Sequence, residues 1–268
     1  GAHVPPRQGV YVERFLRCRR KPFFCYFCRL FFQMRSKYWI WIFAIVIQLV
    51  TGASAQNAAP CDGATIVTDH QGNTYHTIQL GQQCWMAENM RCTTSPTNKH
   101  WYHNPRFSFD TPVFQSYYIT SLNSAQYGLL YNWSAAMDLD INEYAFYTAT
   151  TRRRGICPKG WHLPINEEWN RLLQHLGGTR KAGAVMKGQS SLWISPVIAE
   201  ELSGFNALPA GVYTEDGLEH TGNYAHYWSS TTYDRQNAWC CGLFSYNSDS
   251  YNILDYKCYG RSVRCVRD

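Results

Sequence analysis

The sequence predicts an α+β fold stapled by disulfides. Helical periodicity is confined to the middle of the chain, and short alternating apolar segments lie on both sides of it. Eight cysteines follow residue 55, an even number in a stretch that reads as exported. Aromatic residues make up 16% of the chain, and no long stretch combines low hydrophobicity with high charge, so the composition is not that of a disordered protein.

The N-terminal region stands apart from the rest. Met34 is the first methionine; Arg35 and Lys37 lead into an apolar run from Tyr38 to Val50, and Thr51-Gly52-Ala53-Ser54-Ala55 follows. A cationic start, an apolar stretch and an A-x-A end make residues 34–55 a secretory signal peptide. The apolar run is shorter than the ~20 residues a bilayer-spanning helix requires, so no transmembrane segment is expected in the mature chain. Residues 1–33 lie upstream of this start and are assigned to no folded unit, which leaves Cys25-x-x-Cys28 without a redox or metal reading. Residues 56–268, 213 in all, have the length of one domain and enough chain to bury a core.

Within that domain, Thr65 to Leu80 alternates around the turn Asp69-His70-Gln71-Gly72-Asn73 and predicts a β-hairpin. Thr93 to Gln126 is polar and reads as a long loop, and Tyr131 to Met137 as a short helix. The clearest helix begins near Pro164: Asn166 is a suitable N-cap, Glu167 and Glu168 suit the positive end, and Trp169, Leu172, Leu173 and Leu176 form one stripe. Gly177-Gly178 ends it. The remainder predicts strands over Phe205 to Tyr213, Tyr224 to Tyr233, Ala238 to Tyr246 and Ser262 to Val266.

Charge and motifs exclude several functions. Residues 1–55 hold 9 of the 25 Lys and Arg but 1 of the 19 Asp and Glu, so the net charge of +6 becomes −2 over residues 56–268. Nucleic-acid binding needs cations clustered on the folded domain, and no nucleic-acid partner is expected. The mature chain has no H-E-x-x-H, P-loop, G-x-S-x-G or G-x-G-x-x-G string and no paired C-x-x-C spacing for zinc. Glu167/Glu168 and Glu200/Glu201 are sequence neighbours, which diverge by about 100° on a helix; they read as solvated faces rather than as a glycosidase pair. Asp138, Asp140, Asn142 and Glu143 lack the glycine and distant glutamate of a calcium loop. No metal or cofactor is expected.

The cysteines after the leader are Cys61, Cys84, Cys92, Cys157, Cys240, Cys241, Cys258 and Cys265. They read as disulfide staples, although spacing does not fix the pairing. Adjacent Cys240 and Cys241 point to opposite faces of a strand and are expected to bridge to different partners.

Seven ordered strings carry a family resemblance. They are Gly72 to Tyr75 with Ile78 to Gly81; Gln83-Cys84-Trp85-Met86-Ala87-Glu88-Asn89-Met90; Tyr127 to Trp133; Cys157-Pro158-Lys159-Gly160-Trp161-His162-Leu163-Pro164 with Glu168-Trp169; Gly204 to Gly211; Tyr227 to Thr231; and Ser262 to Asp268. Together they resemble the Fibrobacter succinogenes major paralogous domain of exported proteins in Bacteroidota, over about Ala64 to Asp268. The resemblance implies a C-type-lectin-like fold: a small twisted antiparallel sheet with N- and C-terminal strands side by side, two helices and long loops. It also implies a Cys157–Cys265 bridge, with Cys61–Cys84 a reasonable second one.

That family looks like distant kin of the formylglycine-generating enzymes, whose copper site uses two cysteines four residues apart. Cys258 and Cys265 are more widely spaced, and bridging Cys265 would remove the pair. The calcium strings of sugar-binding C-type lectins are absent. Trp85, Trp133, Trp161, Trp169 and Trp228 are assigned to the core, and His162 is read as a hydrogen-bonded core histidine.

These readings converge on a secreted, cell-surface or periplasmic bacterial module that binds a glycan or an envelope protein without catalysis. Its contacts are assigned to aromatic and polar residues of the loops: Trp101, Tyr102 and Tyr117, and Tyr213, Asp216, Tyr224, His226 and Tyr227 near the late strands. The alternatives are a formylglycine-generating-type copper/thiol oxidoreductase and a structural assembly domain of an envelope complex.

Overall fold

The computed structural model describes residues 61–103, 117–120, 123–140, 152–187, 191–195 and 202–268. The signal-peptide and upstream segments, Asn142, Glu143, Glu200 and Glu201 lie outside these residues.

In chain order the elements begin with β1 (Ile66–Thr68), β2 (Thr74–Leu80), β3 (Gln83–Met86), β4 (Tyr102–His103), β5 (Tyr117–Thr120) and α1 (Ser124–Tyr127). Then come β6 (Leu129–Tyr131), α2 (Trp133–Ala136), β7 (Trp161–His162), α3 (Asn166–His175) and α4 (Thr179–Met186). The last are β8 (Val212–Thr214), β9 (Gly217–Glu219), β10 (Tyr224–Thr232), β11 (Asn237–Phe244), β12 (Ser250–Tyr256) and β13 (Val266–Arg267). The fold is mixed and sheet-rich, with few helices.

Two antiparallel sheets organise it. One runs β1-β2-β3-β13-β7, so the late strand β13 lies beside the early strand β3, with Val266 opposite Trp85. The hairpin β1–β2 forms where predicted, its turn closed by the Asp69 carboxylate, which accepts from the Gln71 and Asn73 backbone N–H groups. The other sheet, β10-β11-β12, has a core on each face. Trp228, Ala238 and Cys240 pack on one side with Tyr131, Trp133 and Cys157. Ala225, Tyr227, Cys241 and Leu243 pack on the other with Trp85, Trp169 and Leu172. Strand alternation thus assigns neighbouring residues to different cores.

The disulfides join Cys61 to Cys84 and Cys157 to Cys265. The second ties the segment before β7 to the segment before β13. The remaining cysteines depart from the all-staple expectation. Cys240 and Cys241 do face opposite sides, but each is a buried thiol rather than half of a bridge, as is Cys92; Cys258 is in neither bridge. Burial pushes the Cys92 and Cys241 thiols up to about 12 and holds Cys240 well above its ordinary value, so they behave as small apolar groups.

Several elements differ from expectation. The predicted loop over 93–126 contains the parallel pair β4–β5 and α1. Phe205 to Tyr213 is not a strand before Val212, because Gly204 and Asn206 adopt positive φ (77° and 52°). The late strand near Ser262 is confined to Val266–Arg267. Gly177-Gly178 ends α3 as predicted, but a second helix, α4, follows at once. Nor does Asn166 cap α3. Ile165 occupies that position and offers no side-chain acceptor; Glu168 reaches back to its N–H (3.1 Å), and the Thr231 hydroxyl accepts from Asn166 N–H (2.9 Å). That role draws Glu168 out of solvent, contrary to its assignment to a solvated face: its exposure is 2%.

Candidate functional site

The turn between β11 and β12 reads Ser245-Tyr246-Asn247-Ser248-Asp249-Ser250-Tyr251, a polar turn flanked by tyrosines. Its position is fixed from behind by α4. Gly183 lets the helix approach so closely that a Cβ there would meet the Asp249 carbonyl at 2.1 Å. The Ala184 N–H donates to the Ser248 carbonyl (3.0 Å), and the buried Lys187 ammonium donates to the Phe244 and Asn247 carbonyls. Burial lowers the Lys187 pKa to about 8, and its ammonium also lies 4.9 Å from the Trp193 ring. On the opposite flank, Ser245 bonds through N–H and hydroxyl to Asn223.

In front of this anchored turn the rings form a continuous cluster. His220 stacks on Tyr224 (4.2 Å between centroids), and Tyr224 on His226 (5.5 Å). Phe244 meets Tyr224 and Tyr251 edge to face and stacks with Tyr246. The cluster opens outward: Tyr246 is 66% and Tyr251 37% exposed. Polar groups border the rings. Asn247 Nδ2 donates to the Tyr251 hydroxyl, which donates to Asp249.

Beneath the cluster lies His226, buried, with no hydrogen-bond partner on either ring nitrogen among the described residues; Asp255 Oδ2 is 3.9 Å from Nδ1. Burial pushes the imidazole below its ordinary pKa, against the pull of Asp255. Burial alone would raise Asp255, but the Arg261 guanidinium and His226 outweigh it and hold the carboxyl below its usual range. Arg261 donates through Nε to Asp255 Oδ2 at 2.7 Å, with Nη2 at 2.5 Å from the same oxygen. Arg261 also donates to the Tyr213 carbonyl, which connects this charge pair to β8.

The predicted contact residues therefore divide. Tyr224 and His226 belong to the cluster, with His226 as its buried floor rather than an exposed contact. Tyr227 is fully buried and faces the other core, because strand alternation turns it away from His226. Tyr213 is half-buried in β8, and Asp216 is exposed at the β8–β9 turn. Trp101 packs edge to face on Tyr131 at the rim of a core cluster. Tyr102 is exposed and sits opposite Tyr117 in the β4–β5 register; the Tyr117 side chain lies outside the described residues. Sequence reasoning passed over Phe244, Tyr246 and Tyr251. Their signal was present in the paired tyrosines around Asn-Ser-Asp.

The core histidine reading of His162 holds, and its environment is specific. At 2% exposure its Nδ1 lies 2.6 Å from Asp268 and its Nε2 2.9 Å from Glu168. Burial alone would raise Glu168; bonds from His162 and Ile165 N–H and the charge of Arg152 hold it below the ordinary value. The five tryptophans assigned to the core, Trp85, Trp133, Trp161, Trp169 and Trp228, are all buried.

The family model described as Fibrobacter succinogenes major domain matches residues 78–267. The chain belongs to that family. No curated protein and no solved structure matches it. The matched range of this Fibrobacter succinogenes major domain includes the ring cluster, the buried tryptophans and the Cys157–Cys265 bridge. Among its described residues no group of three or more His, Cys, Asp and Glu is placed to hold a metal, and no helix is long and apolar enough to cross a membrane.

Proposed function

We propose that the protein is an exported, non-catalytic binding module whose ligand is a neutral glycan, held on the ring cluster of Tyr224, Phe244, Tyr246 and Tyr251. The observation that carries this is the outward opening of an aromatic platform on a turn locked from behind by α4. Sugar C–H faces stack on ring faces, while the bordering amide and carboxylate of Asn247 and Asp249 suit sugar hydroxyls. Preorganisation matters because a turn already held in place loses little entropy when a ligand arrives.

The finer fold reading belongs to the same proposal. The neighbouring β3 and β13, the pair α3–α4 and the long connections support a C-type-lectin-like arrangement. Two disulfides and the leader-like segment 34–55 support export to the cell surface, the exterior or the periplasm. Against a formylglycine-generating activity stands the Cys157–Cys265 bridge, which occupies one of the two thiols such chemistry needs, while burial pushes Cys258 up to about 11. An assembly role in an envelope complex would use the surface without selectivity among glycans.

The test is calorimetric titration of residues 56–268 with neutral hexasaccharides of cellulose, xylan and mannan. At least one should bind, and Tyr246→Ala should weaken it by about tenfold or more with an unchanged melting temperature. Absence of binding to every neutral oligosaccharide would sink the platform reading.

A further inference from the structure

A second site of different chemistry lies near the disulfide-tied end of the five-stranded sheet. A cleft of about 400 Å³, within the usual range of ligand pockets, is formed by the β2–β3 turn, α3, β13 and Arg152. Its walls bring together three guanidiniums, Arg152, Arg171 and Arg267, and three amides, Gln79, Gln82 and Gln83.

Each carboxylate of this cleft has an internal partner, and Arg152, Arg267, Gln79 and Gln83 each spend one donor while keeping further N–H groups unspent among the described residues. Glu168 Oε2 faces His162 Nε2 (2.9 Å) and Ile165 N–H (3.1 Å), and Oε1 faces Arg152 Nη2 (2.9 Å). Asp268 directs Oδ1 to His162, and Asp62 directs Oδ2 to Arg267. Arg171 approaches Glu168 only to 3.8 Å, too far for a hydrogen bond, and makes none among the described residues while its side chain is 60% exposed. The three guanidiniums balance the three carboxylates of the cleft in charge, but at five N–H groups each they offer more donors than those carboxylates take up, and Arg171 spends none.

A donor surplus in a guanidinium frame selects an oxyanion, because the planar fork matches carboxylate and sulfate oxygens. The amides add groups that both donate to and accept from hydroxyls, which points to a sugar bearing that anion. We propose that this cleft binds the carboxylate or sulfate of an acidic polysaccharide. The proposal extends the binding-module reading to a second class of glycan and does not depend on the ring platform.

The experiment titrates residues 56–268 at low salt with a galacturonate hexasaccharide, a chondroitin sulfate hexasaccharide, a neutral cellohexaose, free sodium sulfate and an oligoglutamate peptide. At least one acidic hexasaccharide should bind and weaken as salt is raised, its carboxylate or sulfate identifying the source of the anion. Arg171→Ala should weaken that binding by about tenfold or more and Arg171→Lys by less, since the charge stays while the fork is lost. Tyr246→Ala should leave it unchanged, so a failed platform and a failed cleft give different patterns. The proposal is overturned if neither acidic hexasaccharide binds, if Arg171→Ala matches the parent protein, or if oligoglutamate or free sulfate binds as tightly as the acidic sugars.

Discussion

Two aromatic clusters in this domain use the same rings for opposite purposes. In the interior, Trp85 and Trp169 lie 4.6 Å apart, with Phe205 and Tyr227 completing the group. Buried Arg264 stands against it, its guanidinium 4.2 Å from the Phe205 ring and its hydrogen bonds directed to oxygens of Asn89, Phe205, Asn206 and Met86. At the β11–β12 turn the rings are equally continuous, but they end in the exposed faces of Tyr246 and Tyr251. In the first cluster ring area is consumed by the fold; in the second it is presented. The indoles of the family strings are scaffold, and the surface proposed to take a ligand is made by tyrosines outside those strings. Substitutions that separate stability from binding test this division.

The largest effect should come from the bridge that ties the scaffold together. Cys157 and Cys265 are separated by 108 residues, and closing a loop of that size is worth about 4–5 kcal/mol in the chain-entropy account. The double substitution Cys157→Ser/Cys265→Ser should therefore lower the melting temperature by about 10–15 °C in a domain of this length. Calorimetric melting measures it. Neutral-glycan affinity, taken well below the new midpoint, should be retained; a fall of only a degree or two would show that this end of the molecule is held by packing alone.

The rings themselves permit a direct comparison. Trp169→Ala removes a fully buried indole and should cost about 3–5 kcal/mol in urea unfolding. Tyr246→Ala removes a mostly exposed ring and should change stability by no more than about 0.5 kcal/mol. If Tyr246→Ala destabilises as much as Trp169→Ala, the outer cluster is a core in its own right and the contrast between the two fails.

The same contrast explains what could be read from the sequence. The β1–β2 hairpin, α3 and its Gly-Gly stop were legible because turn chemistry and apolar period are local properties. The burial of the five tryptophans was also legible, since so large an apolar surface must go inside. β12 was not: it is an edge strand with Tyr251, Leu254 and Tyr256 partly outside, so its apolar alternation is weak. Tyr227 looked as available as Tyr224, and only strand register decides which of them is exposed. Glu168 was misplaced because its partners His162 and Arg152 are drawn to it by tertiary structure, although Glu167 beside it remains outside.

A smaller effect than loss of the bridge or of Trp169 carries a definite sign with pH. Glu168 is held below the ordinary glutamate value in the folded state, so it contributes stability that is fully present above the unfolded value and disappears as pH falls through the folded one. At neutral pH, Glu168→Gln should cost about 1–3 kcal/mol, since the amide keeps the shape but loses the charge-assisted bonds to His162 and Arg152. As pH falls below the ordinary glutamate value of 4.5, the parent protein should lose this increment and the variant should not, so their urea midpoints converge on acidification. Parallel curves would mean that the carboxylate contributes through its shape alone. Convergence would place a titrating ion pair in the wall of the proposed anion cleft, apart from the rings of Tyr246 and Tyr251.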